Sequence, residues 1–179
     1  MSRLNPGDHA PHRVVVDLGQ TPRRIPSGRL LHLQLRRFAG CPICNLHMAD
    51  YAHRIDEITA AGVDELAVFM ATRQGMLPYQ GHLPFPTAPD PDFSVHAAFG
   101  GERSLGATLA RTRWGRTLGG VVAGAAMGKP ERLDAAAILP ADFLIGSDGI
   151  VIDCHYGRSA DDSWTVDELL ARVPAATSG

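Results

Sequence analysis

Residues 38–48 read FAGCPICNLHM, with Cys41 and Cys44 two residues apart and Pro42 between them. Upstream lies LLHLQLRRF, in which Leu31, Leu33 and Leu35 alternate with His32, Gln34 and Arg36, the period-two signature of a strand with chemically unlike faces. Downstream, Met48, Tyr51, Ile55 and Ile58 recur at three- and four-residue spacing before Gly62, which marks one face of a helix and its stop. The cysteine pair therefore sits where a strand hands over to a helix. ELAVFMAT, residues 65–72, is a near-continuous apolar run and reads as a strand buried on both faces, so strand, helix and strand form a parallel pair joined by a right-handed crossover.

Residues 1–29 read as a loop-rich lead-in with one short strand at Val14–Leu18, followed by a single domain over 30–179. Residues 74–92 are rich in Pro and Gly and read as loop with one short strand or helical turn, and Asp92 is expected to cap a short helix over 93–99. Residues 100–137 are glycine-rich and carry Arg111, Arg113 and Arg116; they read as a helical insertion between core elements. DFLIGSDGIVIDCHYG, 142–157, is two apolar runs around Ser147-Asp148-Gly149, a hairpin signal. Thr165 and Glu168 form a capping box ahead of Val166, Leu169, Leu170 and Val173. This order defines an α/β, thioredoxin-like three-layer fold: a central mixed sheet with helices on both faces and an insertion before the C-terminal hairpin.

With 179 residues, 45% of them hydrophobic, and a formal net charge of -2, the chain can bury one core and offers no basic footprint for nucleic acid. No stretch has the length and apolarity of a membrane span or the pattern of a secretory signal, so a cytoplasmic protein is expected. Three cysteines in that compartment point to thiol chemistry or metal binding rather than a disulfide scaffold.

Cys41 at a helix N-cap, with Pro42 at the first helical position, receives free backbone N–H groups and the positive end of the helix dipole, which favour its thiolate. Cys44, one turn on and expected to be the more buried, can close a disulfide with it. The pattern thus reads as a redox-active disulfide in which Cys41 attacks and Cys44 resolves. Two other readings stay open: small apolar core residues, or a non-enzymatic metal-binding module in which His47 and His155 join the cysteines. The leading reading requires neither a metal nor another cofactor. His47 by itself reads as a solvated helix residue, and Cys154 as strand packing.

RRFAGCPICNLHM, LPFPTAPDPDFSVHAAFG, LPADFLIGSDGIVIDCHYG and DDSWTVDELL, in this order, resemble the peroxiredoxin-like branch of the AhpC/TSA (alkyl hydroperoxide reductase and thiol-specific antioxidant) family. The resemblance implies a hydroperoxide-reducing antioxidant enzyme in which Cys41 is the peroxide-reacting residue. An external dithiol protein or low-molecular-weight thiol would act as reductant, and the family pattern is compatible with a homodimer. It further implies that Pro140 matches the cis-proline facing the CxxC of thioredoxin-type proteins, with the Leu139 backbone beside it pairing with substrate. The chain departs from the family at Gln34 and Phe38, where typical members carry the proline and the peroxide-holding threonine. An arginine from elsewhere, with Arg111, Arg113 and Arg116 as candidates, would have to compensate. Phe38, Pro42, Leu139 and Pro140 are the expected substrate-binding residues, and Phe38 with the apolar LPFP (83–86) is expected to favour bulky organic hydroperoxides. The alternative enzyme reading is a thiol-disulfide oxidoreductase acting on protein disulfides.

Overall fold

A computed structural model describes residues 2–102, 130–131 and 133–175. Its centre is a mixed sheet of five strands, β3 (Leu31–Arg36), β4 (Asp64–Phe69), β5 (Thr87–Pro89), β6 (Ala141–Ile145) and β7 (Val151–Tyr156), in the order β5-β4-β3-β6-β7. β3 runs parallel to β4 and β4 parallel to β5, whereas β6 and β7 are antiparallel additions on the other side. The lead-in holds two strands rather than one: β1 (Arg13–Val16) and β2 (Pro22–Ile25) form an antiparallel ribbon. The period-two signal was weak in β2 because Pro22, Arg23 and Arg24 contribute no apolar alternation.

Between β3 and β4 the chain forms α1 (Pro42–His53) and α2 (Ile55–Ala60), where one continuous helix was expected. Arg54 leaves helical geometry at φ -109°, and its guanidinium bonds Glu57 and Asp167, both at 2.7 Å. The stretch expected to be mostly loop contains α3 (Arg73–Gln80), with Pro78 inside it, as well as β5. Thr72 caps α3 by accepting from Gly75 N–H, a local bond that outweighs the Pro and Gly composition. In α4 (Ser94–Ala98) the cap is also not the expected one: the Asp90 carboxylate takes the N–H groups of Val95 and His96, and Asp92 receives only Ser94 N–H. The hairpin turn has Gly149 at φ 82°, and Thr165 and Glu168 form a complete capping box on α5 (Val166–Leu170). Most of the expected insertion, with Arg111, Arg113 and Arg116, lies outside the described residues; its end is a 3-10 turn at Leu133–Ala137.

β3 is buried on both faces. Leu31, Leu33 and Leu35 join Leu66, Val68, Phe143, Ile145, Val95 and Phe99 in one apolar layer. At about 1.5–3 kcal/mol per buried leucine this layer anchors the strand. The opposite face is polar and equally buried. His32 Nδ1 lies 2.7 Å from Glu65 Oε1, Gln34 Nε2 donates to Glu65 Oε2 at 2.8 Å, and Arg36 Nη2 donates to Asp142 Oδ1 at 2.5 Å. His32 Nε2 is a further 3.3 Å from Asp142 Oδ1, a charge contact without good hydrogen-bond alignment. Two cations and two anions thus cancel beneath α1, and Tyr51 and Trp164 stack on the His32 ring. Burial opposes protonation of His32, but Glu65 and Asp142 more than offset it and raise its pKa to about 9.

Asp142→Asn leaves Arg36 and His32 buried with one anion fewer. Loss of about 3–5 kcal/mol is expected, read as a lower urea midpoint at unchanged slope. The raised folded pKa of His32 means its contribution is complete below about pH 6.5 and is lost as pH rises through about 9. In a Cys41→Ser background, which removes an opposing titration described below, stability should decline across that window, and His32→Gln should abolish the decline.

Candidate active site

Gly40 takes φ 73° in a tight turn closed by Cys41 N–H on Phe38 O at 3.3 Å, a conformation that glycine adopts without a side-chain clash. That turn sets Cys41 as the N-cap of α1 with Pro42 as its first residue. Both cysteines are reduced and buried, Cys41 1% exposed and Cys44 3%, so the expectation that Cys44 is the more buried does not hold. Three residues apart at the start of α1, the two lie on one side of it and face the same apolar cluster.

The Cys41 thiol is pulled down to about 6. The largest cause is a hydrogen bond from the Cys44 thiol; burial opposes it, and the Arg37 guanidinium and the N–H groups of Cys44 and Ile43 add to the lowering. Cys44 moves the other way, well above the ordinary thiol value, because it donates to Cys41, is buried, and faces the Cys41 charge; Arg37 and Arg36 pull in the lowering direction. The pair is therefore one thiolate and one thiol sharing a proton.

Arg111, Arg113 and Arg116 lie outside the described residues; among those described, Arg37, which sequence reasoning did not single out, lies beside Cys41. Its Nη1 lies 3.6 Å from Cys41 Sγ, its Nη2 donates to Ala136 O at 2.5 Å, and its buried Nε has no hydrogen-bond partner among the described residues. The backbone around it is pinned. Met70 N–H donates to Arg37 O at 3.0 Å, and His96 Nε2 lies 3.0 Å from Arg36 O while His96 Nδ1 lies 2.6 Å from Asp90. The signal was present in the sequence: a strand ending in Arg36-Arg37 sends consecutive side chains to opposite faces, so one of them can reach the cysteine turn.

Of the expected substrate-binding residues, Phe38 is half-buried and lies under the Arg37 guanidinium, 5.5 Å from its ring centre, and Pro42 opens α1. The Leu139–Pro140 bond is not cis; among the described residues only Ile25–Pro26 is. The trans form suffices here because Leu139 N–H is taken by Glu102 O at 3.2 Å and Pro140 O by Gly157 N–H at 2.9 Å, which carries the chain straight into β6. The Leu139 N–H is thus engaged within the fold rather than directed to a substrate. Pro140 does lie near the pair: with Arg36, Ile43, Cys44, Leu46, His47, Asp50, Asp161 and Ser163 it lines a groove of about 220 Å³. The LPFP stretch is not part of that groove. Pro84, Phe85 and Pro86 line a different cavity with Leu31 and Asp64, at the starting ends of β3 and β4, opposite to the end that leads to Cys41.

His47 is not a solvated helix residue: its Nε2 lies 2.9 Å from Arg36 Nη2, and its ring packs 4.7 Å from Tyr51. His155 pairs with Asp162 at 2.9 Å. Among the described residues no three His, Cys, Asp or Glu side chains gather as metal ligands. Cys154 donates to Leu4 O at 3.3 Å and packs against the apolar layer of the sheet.

A mixed five-stranded sheet with a CxxC at the β3-to-α1 junction defines a thioredoxin-type redox protein. The AhpC/TSA antioxidant enzyme family model matches residues 51–159, and the chain belongs to that family as a peroxiredoxin-like oxidoreductase. The matched stretch begins beyond Cys44, so it does not itself include the CPIC pair. No curated protein matches the sequence. Among solved structures, peroxidoxin BcpB from Mycobacterium tuberculosis is 19% identical, with 98% of this chain and 100% of that chain covered and a TM-score of 0.71. The reduced 2-Cys peroxiredoxin of Plasmodium vivax is 14% identical over 93% of this chain and 79% of its own, at 0.67. A putative thiol:disulfide interchange protein DsbE from Chlorobium tepidum is 18% identical over 96% and 99%, at 0.61. These similarities establish the fold.

The ultraviolet absorbance of the thiolate, taken as the difference between wild type and Cys41→Ser, should titrate with a midpoint near pH 6. Arg37→Met removes a charge that favours the thiolate, so the midpoint should move upward. An unchanged midpoint would show that Arg37 does not act on this sulfur.

Proposed function

We propose that the protein reduces hydroperoxides through the Cys41–Cys44 pair. The observation that carries this reading is the Arg37 guanidinium beside the Cys41 sulfur, its buried Nε–H without a hydrogen-bond partner among the described residues. The Cys41 thiolate attacks one oxygen of the O–O bond, becoming a sulfenic acid, and the other oxygen leaves as an alkoxide or hydroxide that takes up a proton. Arg37 stabilises the negative charge that develops on the leaving oxygen, the role a threonine hydroxyl would share at the Phe38 position.

The pair's electrostatics then drive the second step. While Cys41 is a thiolate, Cys44 is held as its hydrogen-bond donor. Oxidation of Cys41 removes that charge and that acceptor; burial still opposes the Cys44 thiolate, but Arg37 and Arg36 then favour it without the Cys41 charge against them. Cys44 attacks the sulfenic sulfur, a disulfide forms and water leaves. An external thiol restores the dithiol. The protein is proposed to act in the cytoplasm and requires no cofactor for this cycle.

A second reading, thiol-disulfide oxidoreductase, is favoured by Phe38, which supplies no donor at the position facing the thiolate. Disulfide exchange needs none, because the departing sulfur leaves on its own acidity.

Second-order rates of Cys41 oxidation by hydrogen peroxide, an alkyl hydroperoxide and a small disulfide separate the two. Peroxide oxidation is expected to dominate and to fall by about 10²–10³ in Arg37→Met. Cys41→Ser should abolish turnover, and mass spectrometry of Cys44→Ser should show one oxidation event trapped as a sulfenic acid. A disulfide that outpaces both peroxides, with Arg37→Met affecting all three equally, would transfer the assignment to the oxidoreductase.

A further inference from the structure

The groove beside Cys44 has no part in the peroxide step, in which Cys41 and Arg37 act. It is small, about 220 Å³, and Cys41 is not among its lining residues, whereas Cys44 is. Apolar walls from Ile43, Leu46, Pro140 and Ala160 lead to that sulfur. That lies below the roughly 300–1,000 Å³ of pockets for drug-sized ligands and suits a thiol with a few heavy atoms.

The charge of the groove follows from its lining. Arg36 also lines it, but its guanidinium is engaged by Asp142, Gln34, Ser163 and His47, with the Asp142 carboxylate directly against it. His47 turns Nε2 toward that guanidinium, which can only donate, so this nitrogen serves as acceptor. The acids Asp50, exposed, and Asp161, half-buried, also line the groove. Neither has an ion-pair partner among the described residues, and Asp161 accepts only from Ser159 Oγ at 2.7 Å. A cationic visitor therefore meets two carboxylates, and an anionic one is repelled by them.

We infer that this groove is the entry site for the reductant and that it selects small thiols bearing a positive charge, aminothiols, over those bearing a carboxylate. The inference rests on the redox-pair reading above. The aminothiol, as thiolate, attacks Cys44 Sγ of the Cys41–Cys44 disulfide; the new bond is Cys44–S–S–R, and Cys41 departs as the thiolate that Arg37 and the helix N-terminus stabilise. A low-pKa sulfur is the better leaving group, so the chemistry and the access agree. A second thiolate attacks the outer sulfur of the mixed disulfide, releasing R–S–S–R and the Cys44 thiolate, which takes up a proton. Two thiols are oxidised to one disulfide as the protein disulfide is reduced to the dithiol.

The test uses full-length protein oxidised with diamide, so that the disulfide is made without any peroxide. Reduction is followed with cysteamine, 2-mercaptoethanol and 3-mercaptopropionate, each rate corrected for its thiolate fraction, and with a thioredoxin-type protein dithiol. Cysteamine is expected to exceed 3-mercaptopropionate by about tenfold at low ionic strength, with the ratio falling as salt screens the carboxylates. Asp50→Asn with Asp161→Asn should bring the ratio close to one. Leu46→Trp, which narrows the groove from a half-buried rim position, should slow reduction by all three small thiols at least about tenfold while leaving the rate of Cys41 oxidation unchanged. Equal rates for the charged thiols, a ratio indifferent to the double variant, reduction by the protein dithiol alone, or Leu46→Trp slowing oxidation and reduction alike would each overturn the inference. Failure of diamide to produce a Cys41–Cys44 disulfide would overturn it together with the redox-pair reading.

Discussion

The structure depends most heavily on the four charges buried between the sheet and α1. Glu65 on β4, His32 and Arg36 on β3, and Asp142 on β6 are each at most 5% exposed, and together they link the three central strands. Such clusters do not outperform well-packed apolar residues in stability, because desolvation consumes most of the coulombic gain. Their effect here is on register. A one-residue slip of β3 would turn Leu31, Leu33 and Leu35 toward the carboxylates and send His32, Gln34 and Arg36 into the layer of Val68, Phe143 and Phe99. Every charge would then be buried without a partner. The cluster excludes that alternative, and with it any other placement of the turn that follows β3.

That turn is where the chemistry sits, and two adjacent arginines divide its labour. Arg36 points down into the charge cluster and supports His47 on α1, while Arg37 points to the other side and reaches Cys41. The peptide between them is held by His96, which Asp90 in turn orients, so α4 on the opposite face of the sheet contributes to where Arg37 stands. Asp90 is held well below the usual carboxylate range: burial works against this, but the bonds from His96 and from the Val95 and His96 N–H groups prevail.

The opposed shifts of the two cysteines follow from the same arrangement. Two buried thiols become a nucleophile and a donor because Cys44 donates its proton to Cys41, and only Cys41 also receives the N–H groups at the start of α1, while the Arg37 guanidinium favours a thiolate at either sulfur. Their roles are thus set by the helix start and by the direction of one hydrogen bond rather than by depth in the protein.

The sequence by itself determined what is local. A period of two over residues 31–36, helical spacing after Cys44, the Ser147-Asp148-Gly149 turn and the Thr165–Glu168 box are all interactions within a few residues, and the structure shows each of them. The order of elements along the chain and the CxxC junction followed from these, and the thioredoxin-type fold with them. What only the tertiary structure decided are the contacts across long sequence separations. The polar face of β3 is buried because Glu65 and Asp142 arrive from other strands; Pro140 is trans where Glu102 holds Leu139 and Gly157 holds Pro140 itself; and LPFP lies at the far end of the sheet because β5 pairs parallel to β4. Arg37 was visible as a residue but not as a partner of Cys41, since its direction depends on a peptide pinned by His96 from α4. Period and composition register which residues a segment contains, whereas a buried charge or an aimed guanidinium is fixed by whatever the rest of the chain packs against it.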